Sequence, residues 1–294
     1  MARSARQEQV PHVLLHLFLC LVVLVTIYPV LWVVSIAFSG NQSLSIADLP
    51  ADPTGWDRLR AILPWPGTWS WANFASVMAD QPFARWILNS TIIAVATTLV
   101  GVFLSCTGAY AFSRFKFPGR RAGMMAFLVS QMFPGTLTLI PLYIIIVQWL
   151  QLGGTRLGLV IVYATTSIPF SVWMLKGYFD TIPRELEEAA IIEGAGPGTI
   201  FWRIVMPLAK PAIAITALFS FMTAWNEFIL AATFMNQEEM YTAPVGLKFF
   251  VGGFQQQWGY FAAGSIVVSL PVVVLFLYLQ KYLVSGLTAG SVKG

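Results

Sequence analysis

Charged residues and histidines are scarce in this sequence. Of its 294 residues, only 10% are Asp, Glu, Lys or Arg, against about 25% in a typical soluble domain, while 57% are hydrophobic. A soluble chain of this length could not bury so much apolar surface, and a disordered chain would have far less of it. The net charge of +4 comes from 17 basic and 13 acidic residues with no long basic run, which argues against nucleic-acid binding. The composition predicts a polytopic membrane protein.

Residues that could carry chemistry are also few. Cys20 and Cys106 lie alone in apolar stretches, so we expect neither a disulfide framework nor a zinc site. His12 and His16 share one helix face, but no Glu or Cys accompanies them, and interfacial residues are a better interpretation than a metal site. No G-x-x-x-x-G-K-[ST] phosphate loop and no G-x-S-x-G nucleophile motif occurs. We therefore expect that this chain is not an enzyme by itself and binds no metal or cofactor.

Six apolar stretches are long enough to cross a membrane, which takes about 20 residues. They cover residues 13–38, 87–113, 122–149, 157–178, 211–233 and 260–284. The first is too long for the core of a signal peptide, so we interpret it as a retained anchor. Most Lys and Arg residues lie on one side if the N-terminus is cytoplasmic, and the cation-rich loop 114–121 shows this most clearly. The predicted fold is all-α, with six transmembrane helices and both termini inside.

The segments between the spans follow from this topology. Residues 1–12 form a cytoplasmic N-terminus, 39–86 a periplasmic segment that is a small folded or partly helical excursion, and 87–285 a core holding the last five spans. That core includes a periplasmic loop at 234–259, in which Gly252, Gly253, Gln255 and Gln256 stand out, and residues 286–294 form a cytoplasmic tail. No internal repeat is visible, which gives no support to an inverted-repeat secondary transporter.

Glu227 is the one plainly ionisable residue within the predicted spans. Charges inside a membrane are costly and usually functional, so Asn226 and Glu227 are candidates for the lining of a translocation path. Glu227 could equally lie near the outer interface as a hydrogen-bond partner of its neighbours. The sequence leaves both interpretations open. Pro134, Pro141 and Pro169 could allow helices to rearrange or could form fixed bends.

The cytoplasmic segment 181–207 has the pattern of two short helices joined by a turn. Thr181 is a candidate helix cap, acidic residues follow in the first turn, and Gly194 is a natural stop. Thr199 could then cap a second helix over residues 200–205, which Pro207 would end. Small residues beside carboxylates would let another protein approach closely and pair an Arg with a Glu. An ordinary solvated loop is the alternative.

The spacing within this segment favours the first interpretation. Glu188-Ala189-Ala190, three residues, Gly194, nine residues and Ile204-Val205-Met206-Pro207 resemble the E-A-A–x3–G–x9–I-x-L-P motif of binding-protein-dependent ABC import permeases. Met206 replaces the usual Leu, which conserves volume. The resemblance implies the type I importer permease fold, with a coupling helix that docks into a cleft of the ATP-hydrolysing subunit. Glu188 would pair there with a basic residue, and Gly194 would allow the close bend.

Further motifs resemble the sugar-importing branch of that family. They are Tyr110-Ala111-Phe112-Ser113-Arg114, Gln131-Met132-Phe133-Pro134 and Lys176-Gly177-Tyr178-Phe179. The C-terminal residues 286–294 are similar to those of the smaller permease subunit of maltose/maltodextrin importers. That resemblance implies that Gly290, Val292 and Lys293 contact the ATPase subunits and that Gly252, Gly253, Gln255 and Gln256 enter the sugar cleft of a periplasmic binding protein.

The resemblance also implies the assembly and its cargo. The chain would be a multi-pass subunit of the bacterial inner membrane, working with a second permease, two copies of an ATP-binding subunit, a periplasmic sugar-binding protein and membrane lipid, and with no nucleic acid. ATP and Mg²⁺ would be bound by the ATPase subunits. Maltose or maltodextrins are the expected substrates, with trehalose or another oligosaccharide as the alternative. A stand-alone carrier or channel and a non-transport scaffold are other classes, but neither would need the segment 181–207.

Overall fold

The computed structural model of the chain describes residues 2–45 and 49–291, and side chains within 13–45 and 49–281. Its elements are fourteen α-helices in the described residues, with short π- and 3₁₀-helical segments between some of them. They are α1 (Ala2–Phe38), α2 (Gly55–Ile62), α3 (Ala72–Ala79), α4 (Phe83–Arg114), α5 (Arg120–Met132), α6 (Gly135–Tyr143), α7 (Arg156–Phe179), α8 (Glu185–Ile192), α9 (Pro197–Ile200), α10 (Met206–Leu208), α11 (Lys210–Asn226), α12 (Ile229–Phe234), α13 (Ala243–Phe249) and α14 (Trp258–Ser291).

By length and apolar composition, four of the described helices could each cross a membrane. They include Val13–Phe38, Phe83–Arg114, Arg156–Phe179 and Trp258–Lys281. Two bent helix pairs would raise the number of spans to six if each pair crosses the membrane once. The all-α prediction is thus confirmed, and the predicted number of six spans corresponds to the upper count.

The third predicted span, 122–149, is not one continuous helix. The helices Arg120–Met132 and Gly135–Trp149 meet at an angle of 103°. Phe133 has the extended backbone (φ −76°, ψ 130°) that a residue before proline prefers, because the Pro134 ring excludes the helical conformation there. Pro134 therefore lies at a break between two helices, whereas Pro141 and Pro169 lie inside α6 and α7.

The fifth predicted span, 211–233, is also interrupted. The helix α11 ends at Asn226, Glu227 is extended (φ −70°, ψ 129°), and α12 begins at Ile229. At its other end α11 follows the helix Pro197–Leu208 with a bend of 79°. The last predicted span ends at 284, but α14 continues through Ser291, so the described part of the predicted tail 286–294 is helical.

The chain divides into two units. The first comprises residues 1–82 and 247–267. Within it, the ring of Phe38 lies 4.9 Å from that of Trp71 and 4.8 Å from that of Phe74. The buried Asn73 amide donates to the carbonyl of Ala37 at 3.1 Å and so holds α3 against the end of α1. The predicted periplasmic segment 39–86 thus contains α2, α3 and the first residues of α4.

The second unit, residues 83–246 and 268–294, is built around α4, α7 and α11. Small residues line the contact between these helices: a Cβ at Gly101 would lie 3.3 Å from the Ser220 hydroxyl and 3.5 Å from the Ser167 hydroxyl. Such residues let helix backbones approach closely in a membrane, where burial of apolar surface gives little drive for association. This packing fixes the ends of α4 and α7, on which the segment α8–α10 lies.

Candidate functional site

The segment from Glu185 to Leu208, which contains α8, α9 and α10, is firmly attached to the ends of α4 and α7. The buried side chains Ile200, Phe201 and Val205 belong to one apolar cluster with Leu175 and Phe179 of α7. The ring of Phe201 lies 5.0 Å from that of Tyr110 on α4. Because this apolar underside is buried, the segment and the helix ends behave as one packed layer.

A buried ion pair joins α8 to α4. Glu187 accepts a hydrogen bond from the Arg114 guanidinium at 2.5 Å, and the two side chains are 11% and 7% exposed. Tyr110 also donates to Glu187, at 3.4 Å. Arg114 further donates to the carbonyl of Ile182 at 3.2 Å and to the Ser113 hydroxyl at 2.9 Å, so each nitrogen of the guanidinium has an acceptor. Both charges are therefore compensated in a place where an unpaired charge would be costly.

A second polar cluster lies where α7 ends. Asp180 accepts hydrogen bonds from Ser113 at 2.6 Å and from Lys176 at 2.5 Å. Burial favours the neutral carboxyl, but these hydrogen bonds and the charges of Lys176 and Arg114 outweigh it and lower the pKa of Asp180 below its ordinary value. The carboxylate thus stays ionised and ties the end of α7 to the end of α4.

The outward face of the segment has the opposite character. Glu188 and Ala189 are exposed, and Glu188 forms no ion pair among the described residues. Leu186, Ile191 and Ile192 are 46%, 59% and 88% exposed. We call these five residues the outer face of α8. A free carboxylate among exposed apolar side chains is an arrangement suited to a protein partner that supplies a cation.

The turn after α8 is open on this side. Gly194 has φ +87°, a conformation that residues with a Cβ rarely adopt, and it follows the last turn as a C-terminal stop. A Cβ at Gly194, Gly196 or Gly198 would meet nothing within 4 Å among the residues that the structure describes. The predicted helix stop at Gly194 is therefore confirmed, and the space above the turn is free for another molecule.

The predicted helix caps of this segment are wrong. The Thr181 hydroxyl donates to the carbonyl of Tyr178 and caps nothing, and α8 begins after Arg184 without a side-chain cap. The second helix begins at Pro197 rather than after Thr199. Pro207 does not end it: residues Phe201–Val205 widen into a π-helical turn, which relieves the clash of a proline ring with the preceding turn, and the helix continues to Leu208.

The motif residues are placed on both sides of the segment. Ala190 is partly buried against the apolar cluster, and so is Ile204, whereas Pro207 is exposed. Sequence reasoning singled out Glu188 and missed Glu187 and Arg114 as a structural pair. Only the four-residue spacing of Tyr110 and Arg114, which puts both on one face of α4, hinted at a shared partner.

At the break between α11 and α12, the Glu227 carboxylate is fully engaged. It accepts hydrogen bonds from the Tyr163 hydroxyl at 2.8 Å and from the backbone N–H groups of Leu230 and Ala231 at 2.8 and 2.9 Å. Glu227 thus caps the start of α12, where a carboxylate also complements the helix dipole. Asn226 is exposed at the last position of α11.

A cavity of about 330 Å³, with hydroxyl and amide side chains in a largely apolar lining, lies at the other break, between α5 and α6. Its lining includes Ser130, Gln131, Phe133, Gly135, Thr138, Leu142, Thr165 and Thr166. The Gln131 amide donates to the carbonyl of Thr166 at 3.5 Å. Irregular backbone at membrane depth is tolerated where it lines such a cavity. Sequence reasoning quoted Gln131 only as part of a motif.

The part of the predicted loop 234–259 that belongs to the second unit is anchored by buried polar groups. Asn89 donates to the carbonyls of Glu239 and Tyr241 at 2.8 and 2.9 Å, and it accepts two hydrogen bonds from Arg156. Trp86 donates to the carbonyl of Glu238 at 2.8 Å. This stretch is therefore fixed to α4 and α7.

The rest of that loop, in the first unit, contains an exposed tip. The Gln257 N–H donates to the Phe250 carbonyl at 2.7 Å and closes a turn of six residues between them. Gly252, Gly253, Gln255 and Gln256 are all exposed in it.

Of the predicted tail contacts, Gly290 lies on α14, while Val292 and Lys293 lie outside the described residues. No group of three or more His, Cys, Asp or Glu residues that could hold a metal ion occurs among the described residues.

Comparison with known proteins gives consistent matches over most of the chain. Residues 97–288 match the family described as binding-protein-dependent transport system inner membrane component. The maltodextrin transport system permease protein MdxG of Bacillus subtilis is 36% identical, over 95% of each chain. The galactooligosaccharides transport system permease protein GanQ of Bacillus subtilis is also 36% identical, over 95% of this chain and 94% of its own.

A solved structure shares the fold. It is that of a bacterial ABC transporter involved in the import of the acidic polysaccharide alginate, with a TM-score of 0.77 and 22% identity over 94% of this chain and 98% of that one.

Proposed function

Because the chain belongs to the family of inner-membrane components of binding-protein-dependent transport systems, as a permease subunit and not an enzyme by itself, we propose that it translocates oligosaccharides in an ATP-driven importer. It would do so with a second permease, two ATP-binding subunits that hold ATP and Mg²⁺, and a periplasmic sugar-binding protein. Maltose and maltodextrins are the proposed substrates.

The outer face of α8 is the single observation on which this proposal depends most. It offers the Glu188 carboxylate, which has no ion-pair partner in the described part of the chain, among exposed apolar side chains and next to an open glycine turn. A surface of this kind is costly to leave in water and suits a partner protein that brings a cation. In the proposed assembly that partner is an ATP-binding subunit, and α8 with its turn is the coupling helix.

The inner side of the same segment suggests how motion passes into the membrane. The pair Arg114–Glu187 and the cluster under Phe201 connect α8–α10 to α4 and α7. A packed layer moves as a unit when a partner displaces it. ATP binding can shift the permease between its inward- and outward-facing states only through contacts that differ between the two states. The α8 surface is where we propose that those contacts form and break.

The two helix breaks are the proposed positions of the translocation path. The α5–α6 break borders a cavity of about 330 Å³ with hydroxyl and amide groups, which can exchange hydrogen bonds with a sugar. At the α11–α12 break, Asn226 is free to contact substrate, while Glu227 would keep the break in shape through its three hydrogen bonds. Discontinuous helices of this kind form substrate sites in other transporters.

The loop tip 251–256 and the end of α14 are proposed partner contacts. Exposed Gly252, Gly253, Gln255 and Gln256 could reach into the sugar cleft of a binding protein, because amide side chains compete for sugar hydroxyls. Gly290, Val292 and Lys293 are proposed to contact the ATP-binding subunits.

The substrate is supported by the relatives alone. Similar permeases serve maltodextrin and galactooligosaccharide transport systems, and trehalose is an alternative. Maltodextrins, galactooligosaccharides and trehalose are all neutral oligosaccharides.

The test is the ATPase activity of the complex that copurifies with this chain, reconstituted in lipid, with and without its binding protein. We expect stimulation by the binding protein loaded with one of maltose, maltotriose, galactooligosaccharide or trehalose, and the stimulating sugar names the substrate. If no ATPase subunit copurifies, the importer assignment is wrong and a stand-alone carrier or channel takes its place.

Gly194 gives this test a variant pair. Gly194→Val should abolish uptake and stimulation while leaving membrane insertion intact, because a side chain would obstruct the partner's approach and strain the backbone at φ +87°. Asparagine adopts a positive φ more readily than valine does, so Gly194→Asn separates the effect of side-chain bulk from that of backbone strain. Normal uptake by both variants would contradict the coupling role of this turn.

A further inference from the structure

A cationic pocket of about 560 Å³ lies where α5 begins and α7 ends. Its walls include Phe117, Arg120, Arg121, Met124, Trp173 and Lys176. The pocket is in the second unit, at the end of α7 that the Lys and Arg distribution predicts to be cytoplasmic.

The positive charge of this pocket is largely uncompensated. Lys176 pairs with Asp180, but Arg120 and Arg121 form no ion pair in the part of the chain whose side chains are described. The first turn of α5 contains no acidic residue, and its N-cap, Gly119, supplies no side-chain hydrogen bond. The positive end of the helix dipole therefore adds to the two guanidinium groups.

The walls of the pocket have the character of a membrane interface. The Trp173 indole donates to the carbonyl of Met124 at 3.1 Å, while the residue remains 37% exposed. Tryptophan is typical of the level where lipid headgroups meet acyl chains. Phe117, 39% exposed, gives a second aromatic surface at the same pocket.

An exposed apolar strip continues from the pocket along α5. Leu128 and Met132 follow Arg121 by seven and eleven residues, so all three share one helix face. Leu128 is 39% exposed and Met132 is 80% exposed. The strip extends about 16 Å from Arg121 at the rise of an α-helix, which is the length of an acyl chain rather than of a small anion.

From this combination we propose that the pocket binds the phosphate headgroup of an anionic phospholipid. Arg120 and Arg121 hold the phosphate, Trp173 lies at the glycerol level, and an acyl chain lies on Leu128 and Met132. Charge complementarity selects an anionic headgroup, and the apolar strip selects a lipid over a free phosphate. This inference requires membrane insertion but not the proposed transport activity.

The experiment measures bound lipid by native mass spectrometry of the full chain purified in detergent. The probes are dioleoylphosphatidylglycerol, dioleoylphosphatidylcholine and inorganic phosphate. We expect selective retention of the phosphatidylglycerol. The double variant Arg120→Gln/Arg121→Gln should weaken that binding about 25-fold, from roughly fivefold for each cation near the headgroup. Arg120→Lys/Arg121→Lys should retain most of it.

The matched control is Lys116→Gln/Lys210→Gln, which removes the same charge from two exposed cations outside the pocket and should leave binding unchanged. Equal loss in this control, or unchanged retention in Arg120→Gln/Arg121→Gln, would overturn the proposal. If inorganic phosphate displaces the lipid at matched concentration, or if Leu128→Ser/Met132→Ser changes nothing, the pocket is a free-anion site and the lipid assignment is wrong.

Discussion

Two adjacent glutamates show how single residues divide their roles in this chain. Glu187 is buried against Arg114, while Glu188 is exposed and has no ion-pair partner in the described residues. A buried carboxylate of this kind fixes the position of α8, and an exposed one is available to a partner. The two substitutions should therefore have separable consequences.

Glu187→Ala should destabilise the chain by about 3–5 kcal/mol, because it leaves the Arg114 guanidinium buried without a counter-charge. Glu188→Ala should leave stability within about 0.5 kcal/mol and instead lower the binding-protein-stimulated ATPase activity. Thermal unfolding in detergent and ATPase assays of the same preparations measure the two effects. Equal stability of both variants would contradict the structural role of Glu187.

Asp180 gives stability a defined pH dependence. Its pKa is lowered in the folded chain, because the Lys176 and Ser113 hydrogen bonds outweigh the effect of burial. A lowered folded pKa contributes stability above the ordinary value of 3.8 and loses it as the pH falls through the folded value. Asp180→Asn should cost less than about 1 kcal/mol near neutral pH, since the carboxylate is partly exposed.

The measurement compares thermal unfolding of wild type and Asp180→Asn in detergent from about pH 7 to about pH 3. The difference in thermal stability between the two proteins should shrink only when the pH falls below 3.8, the ordinary pKa of Asp180. A difference that instead grows toward acid would show that the Asp180 carboxylate is unfavourable in the fold.

At the scale of elements, the candidate functional positions lie at breaks and turns between helices. The bends at Phe133–Pro134 and at Glu227 each have a local cause, a proline in the first case and a carboxylate that caps the next helix in the second. The loop tip 251–256 is similarly local, since one hydrogen bond between Gln257 and Phe250 closes it. It can therefore be altered without disturbing the helices that flank it.

Replacing residues 251–256 by a two-residue Asn-Gly turn should preserve the Gln257–Phe250 hydrogen bond and leave assembly and basal ATPase activity unchanged. Stimulation by the binding protein should fall by about tenfold or more, which corresponds to a loss of about 1.4 kcal/mol of contact energy. Gln255→Ala/Gln256→Ala, which keeps the length, tests the amides alone. Full stimulation of the shortened variant would remove the proposed delivery role of this tip.

At the scale of the molecule, distant parts of the chain are joined by close backbone contacts. Trp86 is fully buried and donates to the carbonyl of Glu238, 152 residues away. Gly246 lies against the Trp86 ring so closely that a Cβ there would overlap it. A glycine is therefore required for α13 to lie this close to α4.

Gly246→Ala should destabilise the fold by roughly 1–3 kcal/mol, because the Trp86 ring or α13 must move. Gly177→Ala is the matched control: its Cβ would meet nothing within 4 Å inside α7, and it should be neutral or stabilising by up to about 1 kcal/mol. Thermal unfolding of both variants in detergent gives the comparison. Equal stability of the two would show that the contact at Trp86 adapts freely.

The sequence by itself determined the membrane class, the all-α fold and the family, because apolar length and a spaced motif are local properties of a chain. It also determined the helix stop at Gly194, since a left-handed residue is a local requirement. The structure decided which glutamate is buried, that Thr181 and Thr199 cap no helix, and that two spans are broken. Which glutamate is buried depends on which face of α8 lies on α4 and α7, and such packing is set by residues distant in the sequence. The break at Glu227 likewise involves a distant residue, since Tyr163 of α7 donates a hydrogen bond to its carboxylate.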